Sequence, residues 1–333
     1  MMEGAVVEDH GKPRLNRRAL LTGGAALAVG GTALTAGVAS AETVGGTGGA
    51  GVPPVVDTTE PLTPIAIPTQ VDAVEGFASV PDAQLWYWDT GGNGAPVILL
   101  HPATGSALSW PYQQPVLARA GFRVIGYSRR GYYNSEAGPT DRPGTLSGDL
   151  HALVEFLGIQ KFHAVGVAMG AICAAEYAIA HPERLHSMVV ACTWAGITDA
   201  DFTQLRENVR TPGFEAMPAD FRELGPTYRA ANPTGRQEWL TRQAKAVTTA
   251  VPQPSASSIT WADLEPLTVP TMLVSGDSDL YAPPPLARMQ ARHLQRVERL
   301  VANECGHNAH WERPDLFNAT VLRFLRRHSP TGR

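Results

Sequence analysis

Short unbroken runs of apolar residues recur along this chain, each closed by Gly, Pro or a small polar residue. Pro96-Val97-Ile98-Leu99-Leu100, Phe122 to Tyr127, His163 to Gly166, Leu185 to Ala191 and Thr271 to Ser275 have this form. Runs of this length mark strands buried on both faces, since a strand with one wet face alternates instead. Ala83 to Trp88 reads as a further strand after the Pro81-Asp82 turn, and Glu298 to Val301 as the last. Between these runs the period changes. Thr145 to Leu157 carries Leu146, Leu150, Leu153, Val154 and Leu157, the stripe of a helix packed on a sheet, and Gly158 stops it. Helices are also expected from about Ser109 to Ala120, Ala171 to Ala180, Pro284 to His293 and Pro314 to Arg327. The alternation predicts an α/β fold, a mostly parallel sheet of about eight strands with helices on both faces and right-handed crossovers. Ligands in such sheets lie outside the carboxyl ends of the strands, where His101, Ala168 and Trp194 should fall.

The rhythm stops between Trp194 and about Glu265, where helical patches such as Phe202 to Val209 and Glu238 to Ala246 are separated by proline turns. A helical cap at about 195–265, inserted over the strand ends, fits this break; caps supply substrate walls and exclude water. The ordered domain is therefore expected over 71–333. Residues 42–70 are rich in Gly, Pro and Thr, too poor in apolar surface to offset their ordering entropy, and read as a flexible linker. Before them, Arg17-Arg18 opens a weakly apolar stretch that ends in Ala39-Ser40-Ala41, an A-x-A cleavage signal. Residues 1–41 thus resemble a twin-arginine signal peptide, which implies export to the cell envelope or medium and no stable membrane association after cleavage. An uncleaved anchor is the alternative, since the run approaches the ~20 residues that span a bilayer.

Composition narrows the partners. With 333 residues, 17% of them charged and a net charge of −4, the chain has no basic excess that would suggest nucleic acid, so a small-molecule substrate is expected. Its three cysteines, Cys173, Cys192 and Cys305, lack metal-site spacing, and no metal or other cofactor is implied. Cys173 and Cys192 fit as buried small hydrophobes, and a Cys192 to Cys305 bridge stays open.

The chemistry centres on Gly166-Val167-Ala168-Met169-Gly170, between an apolar strand and a helix. A strand, a sharp turn spelled G-x-S-x-G and a helix form a nucleophile elbow, which lifts a serine hydroxyl above the sheet. Here the central position is Ala168, which has no hydroxyl. A serine nucleophile needs a histidine to take its proton and an acid to orient that histidine, in the chain order nucleophile, acid, histidine. Asp279 and His307 meet that order. The N–H of Met169, the residue after the nucleophile position, is the expected first oxyanion donor.

With these residues in view, the chain from about Val71 to His328 resembles the α/β-hydrolase fold superfamily. Cys305-Gly306-His307-Asn308-Ala309-His310-Trp311-Glu312-Arg313-Pro314, followed by Phe317-Asn318, resembles the branch that holds meta-cleavage-product C-C hydrolases and enol-lactonases. The resemblance implies the acid at Asp279, in a G-x-x-D-x-x-x-P motif with Gly276 and Pro283, and the base at His307. Asp277 as acid and His310 as base are the alternatives. It also implies a second oxyanion donor after the third strand, where this chain reads His101-Pro102-Ala103; Pro102 has no N–H, so Ala103 is the expected donor. His101 fits equally as a structural or a pocket residue. Arg129 and Arg130 resemble a D-x-R-G turn, whose arginine is usually structural, with a substrate contact as the alternative. Thr104, Trp110, Trp194 and Tyr281 are the expected substrate-lining side chains, although the aromatics fit core packing as well.

Alanine at position 168 leaves three readings open: a serine hydrolase whose nucleophile has been replaced, an enzyme that uses the Asp279-His307 pair without a covalent step, or a ligand-binding protein. For the parent reaction a carboxylic ester or lactone is favoured over a peptide, because the H-G-G-P-G loop of proline iminopeptidases is missing. A C–C bond is the runner-up. An Asp nucleophile, as in epoxide and haloalkane hydrolases, is a further alternative for position 168.

Overall fold

The computed structural model describes residues 55–57, 61–250 and 253–330. The signal segment 1–41 and residues 42–54 and 58–60 of the expected linker lie outside the described residues. The strands are β1 (Val55–Asp57), β2 (Val74–Val80), β3 (Ala83–Asp89), β4 (Pro96–Leu100), β5 (Arg123–Tyr127), β6 (Phe162–Val167), β7 (Leu185–Ala191), β8 (Thr271–Gly276) and β9 (Val297–Ala302). They form one sheet in the order β1-β9-β8-β7-β6-β4-β5-β3-β2. β2 and β3 pair antiparallel, as do β3 and β5, and every other neighbour is parallel.

Among the described residues the sheet has nine strands where about eight were expected, and one lies in the expected linker. Val55–Asp57 pairs in parallel with β9, with Val55 opposite Arg299. An open strand edge offers a row of unpaired N–H and C=O groups, so a segment of low apolar content can join it through backbone bonds alone. The end of that stretch is also tied down. Leu62 is buried, the Tyr112 hydroxyl donates to the Ile65 carbonyl at 3.0 Å, and Gln70 Nε2 donates to the Pro111 carbonyl at 2.8 Å.

The unbroken apolar runs have their expected consequence. Successive residues of a strand point to opposite faces, so β4 sends Ile98 and Leu100 to one layer and Val97 and Leu99 to the other. The first layer holds the helices Leu146–Phe156 and Met169–Ala180; the second holds the final helix Pro314–His328, through Phe317, Val321 and Phe324. Each buried Val, Ile, Leu or Phe stabilises by roughly 1.5–3 kcal/mol relative to exposure. Thr145 caps the first of these helices, its hydroxyl accepting from Gly148 N–H at 3.1 Å. The helix expected over 109–120 is instead split into a 3-10 turn, Ala107–Ser109, and a helix, Gln114–Arg119. Pro111 lies between them; it has no N–H and disfavours helical geometry at Trp110.

Among the described residues between β7 and β8 are five short α-helices, Ala200–Asn208, Ala219–Glu223, Pro226–Ala231, Pro233–Ala244 and Trp261–Leu264, and a 3-10 turn, Phe214–Ala216. Pro226 and Pro233 each open a helix, where the missing N–H costs nothing. All three cysteines are free and buried, so no Cys192 to Cys305 bridge forms.

One buried histidine sets an acid limit on this sheet. His163, fully buried in β6, bonds Ser187 of β7 through Nδ1 at 2.8 Å, and burial pushes its pKa down to about 3 from 6.5. A lowered folded-state pKa gives stability that is present above 6.5 and lost as pH falls towards 3. Between pH 6.5 and about pH 4 this group alone is expected to cost on the order of 3 kcal/mol. Urea midpoints across that range should fall, and fall less in His163→Gln.

Candidate active site

The site is assembled at the carboxyl ends of the parallel strands. Register pairs Leu100 with Gly166, Val167 with Ala191, Ala191 with Val274 and Gly276 with Ala302. The segments that follow β4, β6, β8 and β9 therefore leave from one edge, carrying Ala103, Ala168, Asp279 and His307.

Ala168 stands between β6 and the helix Met169–Ala180 with φ 50° and ψ −112°, a conformation that residues with a Cβ avoid. The turn is over-determined by its surroundings. A Cβ on Gly170 would collide with the Leu100 carbonyl, and one on Gly166 with the Gly170 carbonyl and Ala171 Cα, so strand and helix meet closely only through these two glycines. Ala168 N–H donates to the Ala191 carbonyl at 2.9 Å, and its own carbonyl accepts from Ala171 and Ile172. The Ala168 side chain is half-buried.

His307 Nδ1 lies 2.9 Å from both carboxylate oxygens of Asp279, and both residues are buried. Asp279 Oδ1 is held in turn by the N–H groups of Tyr281 at 2.8 Å and Ala282 at 2.9 Å. This arrangement puts the proton on Nδ1 and leaves Nε2 as the basic nitrogen of the neutral ring. Burial disfavours the imidazolium, but the Asp279 carboxylate and its hydrogen bonds outweigh it, and the His307 pKa rises above its ordinary value. The two alternatives have other work. Asp277 is exposed and accepts from Glu304 and Cys305 N–H, fastening the loop after β9. His310 is buried without a carboxylate partner, and burial pushes its pKa down to about 3.

The loop after β4 is fixed by its own polar groups. His101 Nδ1 donates to the Pro102 carbonyl at 2.8 Å and Nε2 accepts from Arg129 N–H at 3.0 Å, so both nitrogens are used and His101 is structural. Burial holds it neutral, with the Arg129 charge adding to the effect. Ala103, next in line, is exposed. Among the described residues, neither Ala103 N–H nor Met169 N–H donates to a protein acceptor. Arg130 forms a buried two-point pair with Asp149, at 2.7 and 2.8 Å, and is structural; Arg129 donates to the Pro102 carbonyl and lies over the Tyr132 ring.

The expected lining residues separate. The Tyr281 ring lies 4.3 Å from the His307 ring, tilted 34° to it, and meets Phe214 edge-on, which brings it to the site. Thr104 lines a small cavity beside Asn308 and His310. Trp110 is fully buried, lines a different groove with Trp86 and Trp88, and lies 4.8 Å from the His310 ring. Trp194 is half-buried against the core, with Arg206 over its ring.

Two buried residues escaped the sequence reading. The Glu223 carbonyl, from the insertion between β7 and β8, accepts His307 N–H at 2.8 Å, and its carboxylate accepts from Asn308 Nδ2 at 2.9 Å. Glu312 accepts from Gly225, Gly306 and Asn308 N–H, yet burial still pushes its pKa up to about 7. Glu312 sits in the quoted His307 motif, but only the fold shows what it binds. Glu223 belongs to a five-residue helix with no period to flag it. The Glu223 carboxylate also favours the charged form of His307. Glu223→Gln keeps the shape and removes the charge, so the His307 imidazole should titrate at lower pH by NMR; an unchanged titration would count against the contact.

A half-buried strained elbow and a buried His-Asp pair thus leave the same carboxyl edge of a parallel sheet. A model of the alpha/beta hydrolase fold matches residues 95–314, and the chain belongs to that family. It is similar to 2-hydroxy-6-oxononadienedioate/2-hydroxy-6-oxononatrienedioate hydrolase from Pseudomonas sp, 28% identical over 260 residues that cover 72% of this chain and 90% of that protein. Among solved structures, a thermophilic esterase from Thermogutta terrifontis superposes with a TM-score of 0.62 and 24% identity, covering 78% of this chain and 100% of that one. The enol-lactonase from Burkholderia xenovorans LB400 gives 0.60 and 24%, covering 75% and 100%. These two establish likeness of fold. Among the described residues no group of three or more His, Cys, Asp or Glu is placed to hold a metal ion, and no helix is long and apolar enough to cross a membrane.

Proposed function

We propose that this chain carries the site of a hydrolase for an ester or lactone of a small apolar molecule, on a scaffold built for serine at position 168. The observation that carries this reading is the Asp279-His307 pair, kept buried and bonded at the same sheet edge as an elbow that holds φ 50°. With a hydroxyl at position 168, the oxygen attacks the carbonyl carbon while His307 Nε2 takes its proton. The Ala103 and Met169 N–H groups receive the oxyanion, each contributing roughly 3–4 kcal/mol to lowering the barrier. His307 returns the proton to the leaving oxygen, and water then releases the acyl group by the same steps. With alanine there, no acyl enzyme forms at this position. The test is Ala168→Ser assayed on short acyl esters and lactones: turnover supports the reading, and inertness on both overturns it.

A second reading, favoured by the intact pair, has His307 act as general base towards water or substrate in the chain as it stands. Turnover by the Ala168 chain that His307→Ala abolishes would carry it. Cleavage of a C–C bond is the alternative within hydrolases, supported by the likeness to the oxo-dienedioate hydrolase. Arg17-Arg18 and Ala39-Ser40-Ala41 support export of this hydrolase from the cytoplasm.

A further inference from the structure

Beside the candidate site lies a cavity with room for little more than a water-sized group, walled by Pro102, Thr104, Gly105, Ser109, Asn308 and His310. Two of its walls adjoin the reacting groups: Pro102 and Thr104 flank Ala103, and Asn308 follows His307. Five buried polar atoms of the lining side chains have no partner: Thr104 Oγ1, Asn308 Oδ1, His310 Nδ1, Arg242 Nε and Trp311 Nε1. Orphaned buried polar atoms are uncommon because each costs about 1–3 kcal/mol, so five on one small cavity indicate an occupant.

The chemistry of these atoms restricts that occupant. Asn308 Nδ2 donates to the Glu223 carbonyl and carboxylate, which fixes the amide and leaves Oδ1 as a pure acceptor. His310 is neutral, since burial pushes its pKa down to about 3, and offers one ring nitrogen as donor or acceptor. The Thr104 hydroxyl can do either. A carboxylate has no proton for Asn308 Oδ1. Arg242 spends its two terminal nitrogens on the Leu108 carbonyl and Glu238, and its Nε and the Trp311 Nε1 can only donate, so Asn308 Oδ1 is the atom that requires a proton from the occupant. An ammonium would find no carboxylate among the lining residues.

We propose that this cavity is a subsite for an uncharged hydroxyl group of the substrate, which donates to Asn308 Oδ1 and accepts from Thr104 or His310. The inference rests on the hydrolase reading and narrows its substrates to hydroxylated esters or lactones. The hydroxyl supplies the proton that Asn308 Oδ1 needs and an oxygen for the donors around it, while the deoxy analogue leaves them unpaired.

The test uses the Ala168 chain, which forms no acyl enzyme, and matched ligands: methyl butyrate against its 2-, 3- and 4-hydroxy forms, and γ-butyrolactone against its hydroxylated forms. Calorimetry is expected to show at least one hydroxylated member binding about tenfold more tightly than its deoxy partner, the effect of one buried hydrogen bond. Thr104→Val should bring that ratio close to one, and Thr104→Ser should restore it. Ratios near one across the panel, or ratios that Thr104→Val leaves intact, overturn the subsite. If Ala168→Ser hydrolyses esters while the ratios stay near one, the subsite fails and the hydrolase reading stands. If the ratios hold and Ala168→Ser is inert, the hydrolase reading fails and a hydroxyl-binding site remains.

Discussion

Ala168→Ser is expected to raise kcat/KM for a short acyl ester by a factor on the order of 10⁴ or more, since removing the serine of a working triad costs about 10⁶. The expectation follows from how little else has to change. The backbone already holds φ 50° at this position, and serine adds one oxygen to a Cβ that is already half-buried there. His307 already keeps its Nδ1 proton on Asp279, so Nε2 is ready to accept. Stability should stay within about 0.5 kcal/mol, because the strain of a positive φ is the same for both residues. Stopped-flow assays with a p-nitrophenyl ester should show a burst equal to the enzyme concentration, and mass spectrometry should find the acyl group on residue 168. Turnover no greater than that of the Ala168 chain would mean that the elbow and the histidine are not coupled.

What could be read in the sequence depended on whether local pattern and tertiary environment agreed. Leu185 to Ala191 and Pro96 to Leu100 are buried on both faces, so burial writes an unbroken apolar run and both were legible to the residue. β2 is an edge strand with Val74 and Phe77 exposed, which leaves no run and no clean alternation, and it was missed. β1 joins through backbone bonds that carry no side-chain signature. The pairing of Asp279 with His307 was legible because their loops carry short motifs, whereas the other partners of His307 come from distant segments. Glu223 lies 84 residues before His307, and only the packing of the insertion on the loop after β9 brings them together. Trp110 shows the converse: its position after β4 suggested a lining role, but Pro111 breaks the helix there and the ring turns into the core.

Asp279→Asn, made in the Ala168→Ser background, is expected to lower kcat/KM by a factor on the order of 10⁴ with the fold intact. An asparagine oxygen can still accept from the N–H groups of Tyr281 and Ala282, which hold Asp279 at 2.8 and 2.9 Å. Its NH₂ then faces His307 Nδ1 and has to donate to it. That moves the ring proton to Nε2, which turns the base into a donor pointed at the serine. The charge change predicts a second, independent readout. Asp279 is what lifts the His307 pKa against burial, and catalysis needs the neutral ring, so activity in the Asp279 enzyme should rise through a pKa above 6.5. Without the carboxylate, burial acts alone and the acid limb of the residual activity should move to lower pH. Stability follows the same sign. A raised folded-state pKa gives stabilisation that is complete below 6.5 and lost as pH rises through the folded value, so Asp279→Asn should cost more stability at about pH 5.5 than at about pH 8. A loss of activity without either pH shift would mean that Asp279 only shapes the loop and does not act on His307.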